Sequence, residues 1–384
     1  MAAHVAARAG RRVIIFDQSP SPARKFLLAG RGGLNLTHSE PTETLLTRYD
    51  DAAPRLAPAI AAFSPQALRD WSDDLGVSSF IGTSGRVFPT CLKSSPLLRA
   101  WLKRLAMLGV EIRPRHRFLG FAAPRVVAME TPQGRSSLEG AAVVLACGGA
   151  SWPRLGSDGA WAPVLSAAGI AIAPLQPANC GFGVAWSEDF IRRFAGAPLK
   201  AICISAYGQS VRAEAMITAN GLEGGAIYAL SRRLREEMAR GEAWLEIDLK
   251  PDVSLEALAK KLARPRAGQS ASTFLRKAVG LTPLAFALLR GAGALPTEPT
   301  ALAQRIKRVS TRLTHVAPLA RAISSAGGIA WSQLDENYML QKMPGVFAAG
   351  EMIDWEAPTG GYLLQACFST GAAAGRAAAH WREV

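Results

Sequence analysis

The sequence predicts an α/β fold, and three observations carry that prediction. Short apolar runs at residues 12–16, 141–146 and 345–349 read as buried strands. Each stops at an acid or at glycines, namely Asp17, Gly148-Gly149 and Gly350-Glu351. From about residue 173 the texture changes to short strand-like pieces alternating with turns, followed by a helical run over 254–289. Buried runs that end alike belong at one carboxyl edge, so strands 12–16, 143–146 and 346–349 are expected in one mostly parallel sheet. Two domains are implied: a discontinuous one made of 1–172 and 327–384, and an inserted β-rich one, 173–326, that carries a helical lobe.

The bulk properties agree with this division. A chain of 384 residues is too long for one compact core. Hydrophobic content of 49% with 19% charged residues fits a globular protein. No apolar run is long enough for a membrane span, and residues 1–12 do not form a signal peptide. Five cysteines at 91, 147, 180, 203 and 367 form no C-x-x-C, which argues for reduced thiols and a cytoplasmic protein and against a structural zinc site. The five histidines fit no metal-binding or hydrolase spacing, so neither a metal ligand nor a catalytic acid or base is assigned. His38, in a loop, reads as a solvated side chain.

In chain order, residues 1–10 form an alanine-rich helix ending at Gly10. A helix, an apolar strand and a terminal acid make the second half of a dinucleotide-binding βαβ unit, which assigns Asp17 to ribose hydroxyls. The first half, a strand with a G-x-G-x-x-G turn, is not found in the sequence; it is expected to be encoded just before Met1, since Met1 and Ala2 are poor helix caps. Residues 23–40, ARKFLLAGRGGLNLTHSE, hold Arg24 and Lys25 as phosphate-type cations and Gly30, Gly32 and Gly33 as points of close backbone approach, followed by Asn35. Residues 41–80 read as helices, and Arg86 as either an ion-pair partner or an anion contact. Residues 118–130 and beyond form a β-meander, and 141–146 a strand closed by Cys147-Gly148-Gly149. At the other end, Gly350 closes a strand, Glu351 and Asp354 occupy the turn beyond it, and Gly360-Gly361 opens a helix. Unpaired N–H groups at that helix start, beside acids able to accept from hydroxyls, form a ligand-binding arrangement.

These segments resemble a known family: the predicted NAD(P)/FAD-dependent oxidoreductases that include BaiN-like and aminoacetone-oxidase-like proteins. The resemblance implies a Rossmann-like FAD-binding domain, incomplete at its N-terminus. It further implies that Asp354 binds the ribitol and that Gly360, Gly361, Tyr362, Leu363, Leu364 and Gln365 border the flavin ring, with FAD as cofactor and NAD(P)H as a candidate electron donor. Gly148 and Gly149 would pass the dinucleotide's edge. In residues 218–231, TANGLEGGAIYALS, Glu223 stands where that family usually has Ser. A flavin-dependent oxidoreductase acting on a small molecule is the expected function.

The alternative is a non-catalytic binding protein using its basic surface, with nucleic acid as the candidate partner. Net charge is +14 and the pI about 10.1. The basic residues are spread along the chain, with short concentrations at 232–235, 260–266 and 305–312, and none is interleaved with aromatics. That distribution argues against a nucleic-acid partner. Oligomeric state has no signature here.

Overall fold

The computed structural model describes residues 1–29, 32–266 and 268–383. The chain divides into two compact units, Met1–Pro177 with Leu319–Val384, and Ala178–Pro318. Cutting at 172/173 and 326/327, as the sequence suggested, would divide a ladder. Ile172–Ala178 pairs with Ser324–Ile329, and all of that ladder but Ala178 lies in the first unit.

The first unit is assembled from small ladders around a shared core. Ile14–Asp17 runs parallel to Glu111–Pro114, and Val143–Leu145 runs parallel to Val346–Ala348. The single parallel sheet expected for 12–16, 143–146 and 346–349 is therefore corrected to two separate two-stranded ladders. The partner of Ile14–Asp17 is the strand that leaves helix Ser94–Met107, and no strand among the described residues bridges it to Val143–Leu145. The expected meander is present as Arg117–Ala123, Val126–Thr131 and Gly134–Glu139.

The C-terminal helix Tyr362–His380 runs through the middle of this unit. Its apolar residues Tyr362, Ala366 and Ala374 join Leu145, Val346, Phe347 and Trp355 in one buried cluster, while Phe368 joins Leu34, Leu36, Trp71 and Leu97 in another. Helix Ala2–Arg8 lies against it so closely that a Cβ at Gly375 would come 2.5 Å from the Ala2 carbonyl oxygen. Small residues at 371–375 are therefore a packing requirement.

The second unit is built on one sheet of six strands, ordered Phe182–Gly183, Gly221–Glu223, Gln209–Thr218, Pro198–Ala206, Ala243–Asp248 and Val309–Leu313. All its pairings are antiparallel. In Val309–Leu313 buried and exposed residues alternate strictly, the signature of a sheet with one covered face. Helices Leu255–Leu262, Ala271–Val279, Pro283–Gly291 and Pro299–Lys307 make the helical lobe. Among the described residues no helix is long and apolar enough to cross a membrane.

Candidate functional site

The parallel ladders of the first unit deliver three chain turns from the carboxyl ends of their strands: residues 17–19, the 146–158 segment, and the 349–354 turn. One hydrogen-bonded network joins all three. Gln18 Nε2 donates to the Gly156 carbonyl (2.8 Å) and to Asp158 (3.3 Å). Lys25 Nζ donates to Ser151 Oγ (2.7 Å) and Ser157 Oγ (3.4 Å), and forms an ion pair with Glu351 Oε2 at 2.7 Å. The other Glu351 oxygen accepts from the Ser325 N–H (2.8 Å), and Ser325 Oγ accepts from the Ala150 N–H (2.7 Å). Glu351 is buried, so the Lys25 ammonium and the Ser325 amide supply the polar partners that a buried carboxylate needs. Gly149 fits here because a Cβ would lie 2.3 Å from Ser325 Oγ and 3.1 Å from the Glu351 carboxyl carbon.

A second set of bonds joins the 32–38 loop to the start of the C-terminal helix. With the Asn35 amide turned so that both of its polar atoms are satisfied, Nδ2 donates to the Thr37 carbonyl (3.1 Å) and Oδ1 accepts from the Gly361 N–H (3.2 Å). Gly361 has φ +98°, and a Cβ on it would meet the Thr37 backbone at 2.6 Å, so only glycine is tolerated. Thr37 Oγ1 donates to Gln365 Oε1 (2.7 Å), and Gln365 Nε2 donates in turn to the Phe63 carbonyl (2.8 Å). Tyr49 donates to the Tyr362 carbonyl at 2.8 Å. These buried bonds fix the helix start without a capping side chain on it, and leave its first-turn N–H groups for other partners.

Around Tyr362 the charges are ordered too. His38 stacks on its ring, with centroids 5.3 Å apart, and Arg48 lies over it at 5.8 Å. The hydrogen bonds from Arg48 hold the Glu40 carboxyl below its usual range. Burial, with Glu40 adding to it, pushes the Tyr362 phenol up to about 12, so the ring is neutral at ordinary pH. His38 is thus on a strand, half-buried, with Nε2 3.0 Å from the Ser84 carbonyl, which corrects its reading as a solvated loop side chain.

The remaining expected residues occupy varied settings. Asp17 is half-buried and accepts the Ser19 N–H at 2.8 Å. Gly148 has φ +72°, and its carbonyl accepts from Trp161 Nε1 (2.8 Å). The Gly350 N–H donates to Thr370 Oγ1 (3.0 Å), and Asp354 is half-buried with its N–H on the Ile329 carbonyl (3.0 Å). Gly360 has φ +138° and packs on the Tyr362 ring, and Leu363 is half-buried beside the main core. Gly33 has φ +109° against Phe88, whereas Gly32 is exposed with open space where its Cβ would be. Arg24 is exposed and takes no part in the network. Arg86 is exposed and in no ion pair among the described residues. Gly30 lies outside the described residues. Cys147 and Cys367 are both pushed up to about 12 by burial, which keeps them as inert thiols.

Ser151, Ser157 and Ser325 are the members that the sequence did not reveal. Single serines in loops carry no periodicity; the one available signal was the Ser-Ser before Gly327-Gly328. A shallow cleft of about 420 Å³ adjoins the Asp17 end and is lined by Gln18, Arg115, Arg117, Glu130 and Asp158. Among the described residues no cluster of His, Cys, Asp and Glu is placed to hold a metal ion.

Comparison with known proteins bears on the family and the fold. The family described as "HI0933-like protein Rossmann domain" matches residues 1–377. The Escherichia coli ribosomal RNA dihydrouridine synthase is 25% identical, covering 95% of this chain and 92% of that protein. The Clostridium scindens 3-dehydro-bile acid delta(4,6)-reductase is 24% identical, covering 96% and 93%. Among solved structures, the 3-ketosteroid delta1-dehydrogenase of Sterolibacterium denitrificans superposes with TM-score 0.52 at 11% identity, covering 98% of this chain and 96% of that one. A flavocytochrome c3 fumarate reductase superposes with TM-score 0.50 at 17% identity, covering 98% and 76%. At those identities the structural likeness speaks for the fold alone. With strand ends, glycine turns and the helix start gathered as described, and a family match over nearly the whole chain, the protein belongs to the HI0933-like Rossmann-domain family and has its Rossmann-like FAD-binding fold.

Proposed function

We propose that the protein is an FAD-dependent reductase that adds hydride to a carbon–carbon double bond conjugated to a carbonyl, with NAD(P)H as electron donor. The observation that carries this reading is the network that joins the turns following Asp17, Gly148-Gly149 and Gly350 at the ends of the parallel strands. The donors and acceptors present suit FAD. Half-buried carboxylates at strand ends accept from ribose and ribitol hydroxyls, which assigns Asp17 to the adenosine end and Asp354 to the ribitol. First-turn N–H groups after Gly361 suit an electron-rich ring edge. A phosphate-binding G-x-G-x-x-G turn is not among the 384 residues. Bound FAD supplies the hydride chemistry.

The chain's own residues position and shield. Lys25 orients Glu351, the Asn35–Thr37 segment braces the helix start, and Tyr362 and Leu363 keep water from the ring's edge. Two named relatives support the substrate chemistry. Dihydrouridine is uridine without its ring double bond, conjugated to a carbonyl; a delta(4,6)-reductase acts on double bonds of a 3-dehydro (3-keto) bile acid.

The experiment is flavin absorbance of the purified protein, followed by anaerobic bleaching with NAD(P)H and recovery of the band on adding a conjugated enone. Asp354→Ala should lower FAD retention with the fold intact, since one charged hydrogen bond is worth about 1.5–3 kcal/mol. Protein that stays colourless when FAD is supplied in excess would sink the reading and leave a binding protein.

A further inference from the structure

One small sheet of the first unit runs Thr37–His38, Arg86–Pro89, Ser79–Ile81. Ser79–Ile81 is therefore an edge, and among the described residues no strand pairs with its outer side. The backbone bonds fix which groups face outward. The Thr90 N–H donates to the Ser78 carbonyl (2.9 Å) and the Gly82 N–H to the Arg86 carbonyl (2.8 Å). Ser78, Phe80 and Gly82 thus turn their polar groups inward, to the neighbouring strand. The Val87 carbonyl is taken from the far side by the Leu36 N–H (2.9 Å), and Pro89 has no N–H to give. Ser79 and Ile81 stand opposite Pro89 and Val87, so their N–H and C=O groups point to the open edge. Charged side chains commonly guard such edges. Edge strand Gly134–Glu139 exposes Arg135 and Glu139, and edge strand Val309–Leu313 exposes Arg312. Residues 75–85 hold neither a charge nor a proline, and Phe80 is 40% and Ile81 49% exposed.

We propose that a second copy of the chain closes this edge, strand against strand, about a two-fold axis at Phe80. Antiparallel pairing in that register sets Ser79 opposite Ile81 of the second copy and Phe80 opposite its own twin. Each Ser79–Ile81 pair exchanges two backbone hydrogen bonds, and the axis generates two such pairs, so every outward group of the strand is satisfied. The central pair is of the closer, non-hydrogen-bonded kind, which brings the two Phe80 rings together. Each already lies 5.9 Å from Phe88, so one aromatic row crosses the axis. Charge selects a second copy over other occupants. Two chains of net charge +14 repel, and they can meet only where the surface is neutral or carries both signs. Residues 75–85 are neutral. Beside them, helix Pro65–Asp74 carries Arg69, whose Nε donates to Ser79 Oγ (3.2 Å), and exposes Asp70, Asp73 and Asp74. A face that meets itself needs both signs, whereas an anionic membrane would repel those three acids. A stable pair buries roughly 1,200–2,000 Å² in total, more than two three-residue strands supply. The helix, about 15 Å long, therefore meets its copy as well.

The test measures the mass of the full-length protein by light scattering across a dilution series. Twice the 40.7 kDa of the chain is expected at the concentrated end. Ile81→Pro removes an outward N–H without taking a bond from Arg86–Pro89, and should weaken the dimer at least about tenfold. Phe80→Lys sets like charges face to face, should do the same, and covers the case where the proline variant fails to fold. Leu138→Lys, on the guarded edge Gly134–Glu139, should change the dimer constant less than about twofold. Cross-linking then reads the register. In a Cys91→Ser background, which removes the exposed native thiol, Phe80→Cys should give a disulfide-linked dimer on mild oxidation. Facing residues of a non-hydrogen-bonded pair have Cα atoms about 4.5 Å apart, within disulfide reach. Thr83→Cys should not cross-link, because three residues from the axis it stands roughly 20 Å from its twin. A protein that is monomeric at every concentration would overturn the proposal, as would a dimer indifferent to both Ile81→Pro and Phe80→Lys. Equal cross-linking at positions 80 and 83 would overturn the two-fold register.

Discussion

The two units solve the same problem, how to begin a helix, with different frequency of side-chain caps. In the second unit five of the seven helices among the described residues begin with a side chain that accepts a first-turn N–H, from Ser187, Ser254, Ser270, Thr282 and Glu298, while Gly225–Ala229 and Ser231–Arg240 have none. In the first unit Ser64 does this for Pro65–Asp74, while Ala2–Arg8, Thr42–Leu46, Ala53–Ala62, Ser94–Met107, Trp161–Ala167 and Tyr362–His380 have no such bond. The sheets differ in the same sense. One unit has a single continuous sheet, the other a set of short ladders held by a common core. Where every local signal agrees with the fold, the structure is self-sufficient. At Gly360 and Gly361 an open helix start and two positive-φ glycines occur together, at positions assigned to the proposed cofactor site.

The strongest way to break this contrast is Gly361→Ala. The added Cβ would meet the Thr37 backbone at a φ reserved for glycine, so a loss of about 2–5 kcal/mol is expected, confined to the first unit. Thermal unfolding and flavin absorbance would report it; unchanged values for both would show that the brace between Asn35–Thr37 and the helix is not needed.

Acid should separate the units next. His4 is buried with no partner for Nδ1, and burial, joined by nearby positive charges, lowers its pKa from 6.5 to about 4. The unfolded chain therefore binds the proton more readily. The stabilisation is full above pH 6.5 and is lost as pH falls to 4, about 3 kcal/mol at 1.4 kcal/mol per unit. His4→Leu should flatten that limb for the first unit in hydrogen exchange recorded between these pH values. If the wild-type first unit is as acid-stable as the second, His4 is not the cause.

The caps provide the finest comparison. Ser270→Ala removes the bond accepted from the Thr273 N–H and should cost about 1 kcal/mol, felt in the helical lobe. Lys93→Asp places an acceptor at the uncapped start of Ser94–Met107, where the backbone is already extended, and should add up to about 1 kcal/mol to the first unit. Equal responses of both units in chemical denaturation would mean that capping is not what distinguishes them.

Legibility depends on how information is written in a chain. Strand ends at Asp17, Gly148 and Gly350 and the glycine pair at 360–361 were legible because apolar runs and positive φ leave marks on sequence. The ladder arrangement was not, since three-residue strands such as Val143–Leu145 do not say whom they pair with. Nor was the Lys25–Glu351 pair: each residue reads as a ligand by itself, and their mutual bond depends on where two distant turns arrive. Residues 75–85 are visible as a stretch without charge, but their place at an open sheet edge becomes evident only in three dimensions.

That Lys25–Glu351 bond also bears on how the protein is made. Its partners stand 326 positions apart. At about 5–20 residues per second, the lysine leaves the ribosome roughly 15 to 65 seconds before the glutamate exists. Every residue of the second unit is synthesised in that interval, and its capped helices can set while the N-terminal segment waits. The nascent chain thus carries its open helix-binding surfaces, Leu34, Leu36 and Leu97 among them, without the C-terminal helix that covers them. The network at the proposed cofactor site therefore closes only after the second unit and the 349–354 turn have been synthesised.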